Sequence, residues 1–146
     1  MEILKGLPVA QAINEELIKE SQEAGIKPHL GFDCTSYVFP QDITDEEFQK
    51  EFDKINKDDN IDGILLLRPL PKHINEKAIE ERINPVKDLD GISPINLAKV
   101  YAGDVNGFAP CTAEAVIEML DYAGIDLTGK RVTVVGRSLV IGKPVA

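Results

Sequence analysis

Apolar residues recur along this chain with two different periods, and the places where one gives way to the other predict its elements. Pro8 suits the first turn of a helix, and Val9, Ile13, Leu17 and Ile18 then fall on one stripe, with Ala24-Gly25 as a C-terminal stop. Two short apolar stretches follow, around His29–Phe32 and Cys34–Phe39, the second alternating loosely as a strand does. "TDEEFQKEFDKIN" is the clearest helix: Thr44 and Glu47 make a capping box, and Phe48, Phe52 and Ile55 share a face. "IDGILLL", residues 61–67, runs apolar without alternation and predicts a strand buried on both faces. Asn75 caps a short helix carrying Ile79 and Ile83, and Pro94 opens another through Val100. Thr112 caps a further helix with Val116, Ile117 and Leu120 inward, closed by Gly124, and a last strand covers Arg131–Val135.

Strands alternating with helices predict an α/β fold with a largely parallel sheet. The polar, Gly-containing connection "AGIDLTGKR" (123–131) places a domain boundary near its start, giving a first domain over 1–124 and the opening of a second over 125–146. That second piece holds one strand and the beginning of a helix, too little to bury a core of its own.

Composition narrows the function mainly by exclusion. The 146 residues are 43% hydrophobic and 28% charged, an ordinary soluble balance. A chain of this length buries about 70% of its unfolded surface as one domain. No apolar run approaches the roughly 20 residues that span a bilayer. The start, "MEILKGLPVAQAINEEL", has an early Glu and no long apolar core, unlike a secretory leader, so the expected location is cytoplasmic. Sixteen Lys and Arg against 25 Asp and Glu give a net charge of -9, which argues against a nucleic-acid surface but leaves small anionic ligands open. Cys34, Cys111, His29 and His73 lack companions at metal-ligand or redox spacing and read as structural.

Four stretches could carry chemistry. "RVTVVGRSLVIGKPVA" (131–146) takes a β-branched run into a Gly-Arg-Ser turn of the kind that holds a phosphate. Gly136 permits a sharp turn and close ligand approach, and Gly142 permits tight packing where a helix begins. That helix start would present unpaired N–H groups, and Arg137 adds a planar fork of donors. The spacing Gly-x-Ser-x-x-x-Gly is not the usual dinucleotide fingerprint, so a plain strand-to-helix connection with a solvated Arg stays open. The acidic ribose partner, about 20 residues further on, would fall beyond Ala146.

"LLLRPLPKHI" leaves a strand through a stiff Pro-x-Pro segment, at the kind of strand end where α/β proteins place ligands. Arg68 there either meets an anionic substrate or is an ordinary surface charge, and the second is the commoner case. "NPVKDLDGISPIN" sets Lys87, Asp88 and Asp90 beside a turn Gly. An Asp in this run caps the next helix or accepts paired hydrogen bonds from an amidine or guanidine edge, capping being the more frequent role. The run lacks the ligand set of an EF-hand loop. "FAPCTAEAV" puts Cys111 at a helix start, where a thiolate is favoured, but no His lies near it in sequence, so a buried structural thiol is expected.

Taken in order, "DGILLLRPLP", "NPVKDLDGISPIN", "PCTAEAVIEML" and "GIDLTGKRVTVVGRSLVIGKP" closely resemble the methylenetetrahydrofolate dehydrogenase / methenyltetrahydrofolate cyclohydrolase family, over nearly the whole chain. The resemblance implies an α/β enzyme of one-carbon metabolism. Its N-terminal parallel-sheet domain holds folate, and a Rossmann-like domain holds NADP. It oxidises methylene-tetrahydrofolate and hydrolyses the methenyl product to formyl-tetrahydrofolate, with the folate in the cleft between domains. Asp90 matches the active-site Asp that grips the pterin ring. The stretch Leu65–Pro71, and within it Leu66, Leu67, Arg68 and Pro69, matches the strand end lining the folate pocket. Gly136, Arg137 and Ser138, with Ile141 and Gly142, match the NADP turn, where Arg137 looks like a contact to the extra phosphate that separates NADP from NAD. Members are commonly homodimers through the cofactor domain.

Four departures from that pattern stand out. The family's Tyr-x-x-x-Lys helix, which carries its main catalytic Lys, is absent: only Asp33 separates Phe32 from Cys34, whereas a parallel crossover takes a dozen or more residues. Either the two strands are antiparallel or the crossover, roughly two dozen residues, is missing from the sequence as written. The Gln of the family's "LVQLPLP" is Leu67 here, which puts the cyclohydrolase step in doubt more than a hydride transfer that depends mostly on positioning. The Pro usual after Pro-Cys-Thr is Ala113, a change of little expected consequence. Everything after Ala146, including a Pro-Gly-Gly-Val-Gly loop, is absent. Three readings follow: a bifunctional dehydrogenase/cyclohydrolase, a dehydrogenase without the hydrolytic step, and a non-catalytic folate-domain piece that binds or assembles.

Overall fold

The computed structural model describes residues 6–23 and 34–146, the side chains of 17–23 excepted. Helix α1 (Gly6–Glu23) takes in Pro8 in its first turn, with Val9 buried and Ile13 at the exposed margin. The expected stop at Ala24-Gly25, the apolar stretch at His29–Phe32, His29 itself and the Phe32–Cys34 junction lie outside the described residues. By its internal packing the chain divides into two units, one of residues 1–37 with 115–132, the other of 38–114 with 133–146.

The second unit holds the motifs. Helix α2 (Asp45–Lys57) starts as its sequence requires: Thr44 Oγ1 accepts the Glu47 N–H at 3.2 Å, and Glu47 Oε2 accepts the Thr44 N–H at 3.1 Å. Phe48 and Phe52 face inward, and Phe39 meets Phe48 edge-on with ring centroids 5.3 Å apart. In α3 (Glu76–Arg82) the Asn75 side chain accepts the Ala78 N–H, and Ile79 is fully enclosed. Ile83 follows the helix into the same core, which joins Phe48, Phe52, Ile64, Ile74, Ile79, Ile83 and Ile92. Helix α4 (Pro94–Ala102) carries Pro at its first position, as the sequence predicts; Ser93 accepts the Asn96 N–H at 3.1 Å, and Gly103 ends it at φ 69°.

Helix α5 (Cys111–Tyr122) begins earlier than expected. The Pro110 carbonyl receives the N–H groups of Ala113 and Glu114, which leaves Thr112 inside the first turn and not at the cap. Its inward stripe runs Ala113–Val116–Leu120, and Ile117 is exposed at the margin. Gly124 closes the helix with φ 66°, as the sequence predicts. A last turn, α6 (Gly142–Val145), lies against α4.

The strands depart most from expectation. Among the described residues the ladder reduces to one parallel bridge, Ile64 with Asp88: the Ile64 N–H donates to the Lys87 carbonyl at 2.6 Å and the Leu89 N–H to the Ile64 carbonyl at 3.2 Å. Cys34–Phe39 and Arg131–Val135 form no strand. "IDGILLL" is not buried on both faces, because Ile64 is enclosed and Leu66 half-buried while Leu65 and Leu67 are exposed. An unbroken apolar run needs cover on both sides to be enclosed, and here α2 and α3 contribute the core on one side only.

Candidate functional site

The single bridge fixes where two of the motifs meet. Pairing Ile64 with Asp88 sets the exit of residues 61–67 beside "KDLDG", and Arg68 reaches across to Asp90, Nη2 to Oδ2, at 3.2 Å. The same guanidinium faces α3, with Nη1 3.3 Å from Glu80 Oε1 and 3.7 Å from Glu76 Oε1. Arg68 is therefore not a solvated charge: its side chain is 20% exposed and it holds three carboxylates from two elements. Partial burial pushes the Glu80 carboxyl above its ordinary range, against the pull of Arg68. Glu76 also accepts the Leu70 N–H at 3.2 Å, which ties the Pro-x-Pro exit to α3.

The two aspartates of "DLDG" divide the roles that their spacing left open. Asp88 is buried and does the capping: Oδ1 accepts the Ile92 N–H at 3.1 Å, and Oδ2 accepts the Ser93 N–H at 2.8 Å and the Asn96 amide at 3.0 Å. Asp90 caps nothing. Among the described residues its only hydrogen-bond partner is Arg68, on one oxygen, so the other oxygen and the second lone pair of the first stay open to an incoming pair of N–H donors, one on each.

Just after them the chain turns at Gly91, whose φ of 60° and whose approach to the backbone of Phe108–Pro110 bring "PCT" to the same place. The Cys111 thiol donates to the Leu89 carbonyl at 2.9 Å. Cys111 is exposed and not buried as expected, yet partial desolvation of the sulfur, with Asp90 nearby, pushes its pKa up, the wrong direction for a nucleophilic thiolate. Cys34 is exposed as well, and His73 Nε2 bonds the Ile43 carbonyl at 2.9 Å. Leu67, in the position of the motif's Gln, is 78% exposed, and Pro69 beside it is exposed too.

The terminal turn is built differently from the expectation of free N–H groups. Ser138 Oγ accepts the Ile141 N–H at 3.1 Å and the Gly142 N–H at 3.2 Å, and the Ser138 carbonyl accepts the Lys143 N–H at 3.0 Å. The turn thus satisfies the N–H groups of Ile141, Gly142 and Lys143, those at the start of α6. A Cβ on Gly142 would collide with the Gly136 carbonyl group and sit 2.8 Å from the Arg137 nitrogen, so only Gly closes it. Arg137 is exposed and, among the described residues, pairs with no carboxylate. A glycine-closed turn with an uncommitted guanidinium is compatible with a phosphate-bearing cofactor, held by Arg137 and the Gly136 backbone and not by the helix N-terminus.

Comparison with known proteins now gives these motifs a family. Residues 28–90 match the family described as "Tetrahydrofolate dehydrogenase/cyclohydrolase, catalytic domain", and residues 110–146 match its "NAD(P)-binding domain". The chain belongs to this family. It is 45% identical to the bifunctional protein FolD of Clostridium kluyveri over 99% of its own length and 61% of the relative's. The chain thus spans about 60% of the length of the curated relatives it matches. Among solved structures it resembles the bifunctional FolD enzyme of Campylobacter jejuni, at 36% identity and TM-score 0.74, over 95% of this chain and 47% of that one. It also resembles the Trypanosoma brucei methylenetetrahydrofolate dehydrogenase-cyclohydrolase complexed with NADP and an inhibitor, at 31% identity and TM-score 0.71, over 92% of this chain and 44% of that one. The Clostridium kluyveri alignment runs over 172 positions against 146 residues here, so more than two dozen positions of the relative face gaps. No helix among the described residues is long and apolar enough to cross a membrane.

Proposed function

We propose that this chain carries the folate-binding part of an enzyme of one-carbon metabolism that oxidises methylene-tetrahydrofolate with NADP and hydrolyses the methenyl product to formyl-tetrahydrofolate. The observation that carries the reading is the division of labour in "DLDG": Asp88 takes the structural role and leaves Asp90 with an open carboxylate oxygen at a strand exit. An ionised carboxylate there accepts two parallel N–H bonds, the complement of the amino-imine edge of a pterin. Leu66, Leu67, Arg68 and Pro69 border the folate, and Gly136, Arg137, Ser138, Ile141 and Gly142 form the NADP turn. NADP, when bound, supplies the hydride acceptor. The residues of this chain bind and orient. The folate domain extends over 1–124 as a parallel-sheet α/β unit, and a Rossmann-like cofactor domain begins at 125. The whole protein is a cytoplasmic homodimer that takes tetrahydrofolate derivatives and engages neither nucleic acid nor membrane.

Asp90→Ala is expected to weaken binding of a stable reduced folate, 5-formyl-tetrahydrofolate, by at least about a hundredfold, since two charge-assisted hydrogen bonds are lost. Isothermal titration of this chain and the variant measures it; unchanged affinity would make Asp90 a purely structural acid. NADP affinity, measured alongside, stays near wild type. Arg137→Ala is expected to weaken NADP by about 1.5–3 kcal/mol and NAD far less, because only NADP offers the extra phosphate. Equal losses for both would remove Arg137 from that phosphate.

Leu67 supports a narrower second reading, a dehydrogenase without the hydrolytic step, because an exposed leucine stands where the motif carries a polar amide. Following methenyl-tetrahydrofolate decay beside NADP reduction separates the two, and rapid enzyme-dependent decay would exclude the narrower one.

A further inference from the structure

Arg68 borders the site, yet its described polar contacts are all with carboxylates of the protein. Nη2 is 3.2 Å from Asp90 Oδ2, and Nη1 faces Glu80 and Glu76 on α3 at 3.3 and 3.7 Å. The geometry is one-sided at Asp90, whose other oxygen has no partner among the described residues. A carboxylate on a short side chain turns freely about its last bond unless something holds it, and one fixed oxygen determines where the other points. Three further features fix the guanidinium itself. It is 20% exposed, α3 supplies two carboxylates at (i, i+4) spacing, and Glu76 is pinned in turn by the Leu70 N–H.

We infer that Arg68 is the positioning residue for Asp90: it holds one carboxylate oxygen in place and so aims the carboxylate at the N–H donors of the folate, without spending its own donors on the ligand. The inference rests on the proposed folate role of Asp90. It differs from a direct substrate contact in one respect that can be measured. A direct contact loses the same affinity whatever stands at residue 90, whereas a positioning residue acts only through the charged Asp.

A double-mutant cycle tests this, with 5-formyl-tetrahydrofolate titrated calorimetrically into the wild-type chain, Arg68→Ala, Arg68→Lys, Asp90→Asn and the Arg68→Ala/Asp90→Asn double variant. Asp90→Asn is used because its residual binding stays measurable. Arg68→Ala is expected to weaken the wild type about tenfold. Arg68→Lys, which keeps the charge and loses the fork, recovers part of that loss. In the Asp90→Asn background the Arg68→Ala change costs less than twofold. Circular dichroism confirms that each variant is folded; if Arg68→Ala is not, Arg68→Lys in both backgrounds carries the same comparison. Equal losses in both backgrounds, or wild-type affinity for the Arg68 variants while Asp90→Asn is weakened, would overturn the inference and leave the folate reading standing. Wild-type affinity for Asp90→Asn would overturn both.

Discussion

Asp88→Ala is expected to lower the unfolding free energy by about 3–5 kcal/mol, seen as a fall in the urea midpoint with the slope unchanged. The side chain is 1% exposed and accepts three hydrogen bonds, from the Ile92 and Ser93 N–H groups and the Asn96 amide. Truncation leaves these donors enclosed without partners, and each buried unsatisfied donor costs about 1–3 kcal/mol. Asn96 is enclosed with them: its amide also donates to the Pro85 carbonyl at 2.9 Å, and its Oδ1 accepts the Phe108 N–H at 3.3 Å. Losing Asp88 therefore loosens the start of α4, the 85–88 segment and the approach of residue 108 at once. Asp88→Asn keeps the shape but turns one acceptor into a donor facing donors, so a smaller loss is expected. If Asp88→Ala unfolds within about 1 kcal/mol of wild type, the capping role is wrong. Folate binding then separates the two aspartates, because a folded Asp88→Asn should keep most of its affinity whereas Asp90→Ala should not.

That separation was only half legible in the sequence. Caps that act within three or four residues can be read locally, and Thr44 with Glu47, Asn75 and Pro94 all do in the fold what their spacing implies. Two aspartates two residues apart offer the same local chemistry, and what divides them is the left-handed turn at Gly91 and the path of α4, which no short window contains. Arg68 is a sharper case. An Arg at a strand exit reads as solvated, and only the docking of α3 brings Glu76 and Glu80 to it; their (i, i+4) spacing just after the Pro-x-Pro segment was the available signal. The strands failed for the opposite reason. A strand is completed by partners far away in sequence, and of the segments read as strands only the one at Ile64 finds a described partner. At the terminal turn, glycine spacing pointed to a phosphate cradle, but the Ser138 hydroxyl consumes the N–H groups that such a cradle would use. What remains for an anion is the Gly136 backbone and Arg137, a side chain whose role depends on a ligand and not on the fold.

Gly91→Ala is expected to cost about 2–4 kcal/mol of stability and to weaken folate binding, although residue 91 has no side chain to offer a ligand. Two terms add. An L-residue held at φ 60° costs about 1–2 kcal/mol. The new Cβ would also lie 2.7 Å from the Phe108 carbonyl oxygen, the Ala109 carbonyl carbon and the Pro110 nitrogen, all backbone atoms that cannot swing aside as a side chain does. Relief of the clash must separate "DLDG" from "APCT", which carries Asp90 away from its place beside the start of α5. Gly103→Ala supplies the control. Gly103 has nearly the same backbone, φ 69°, but nothing within 4 Å of its Cβ position, so it bears the conformational term alone. Thermal unfolding and folate titration of the two variants therefore isolate the contact: Gly103→Ala should lose only the conformational term, about 1–2 kcal/mol, with folate affinity intact. Equal losses for both glycines would mean that the close approach of residues 91 and 108–110 holds nothing in place, and that Asp90 is positioned through Arg68 alone.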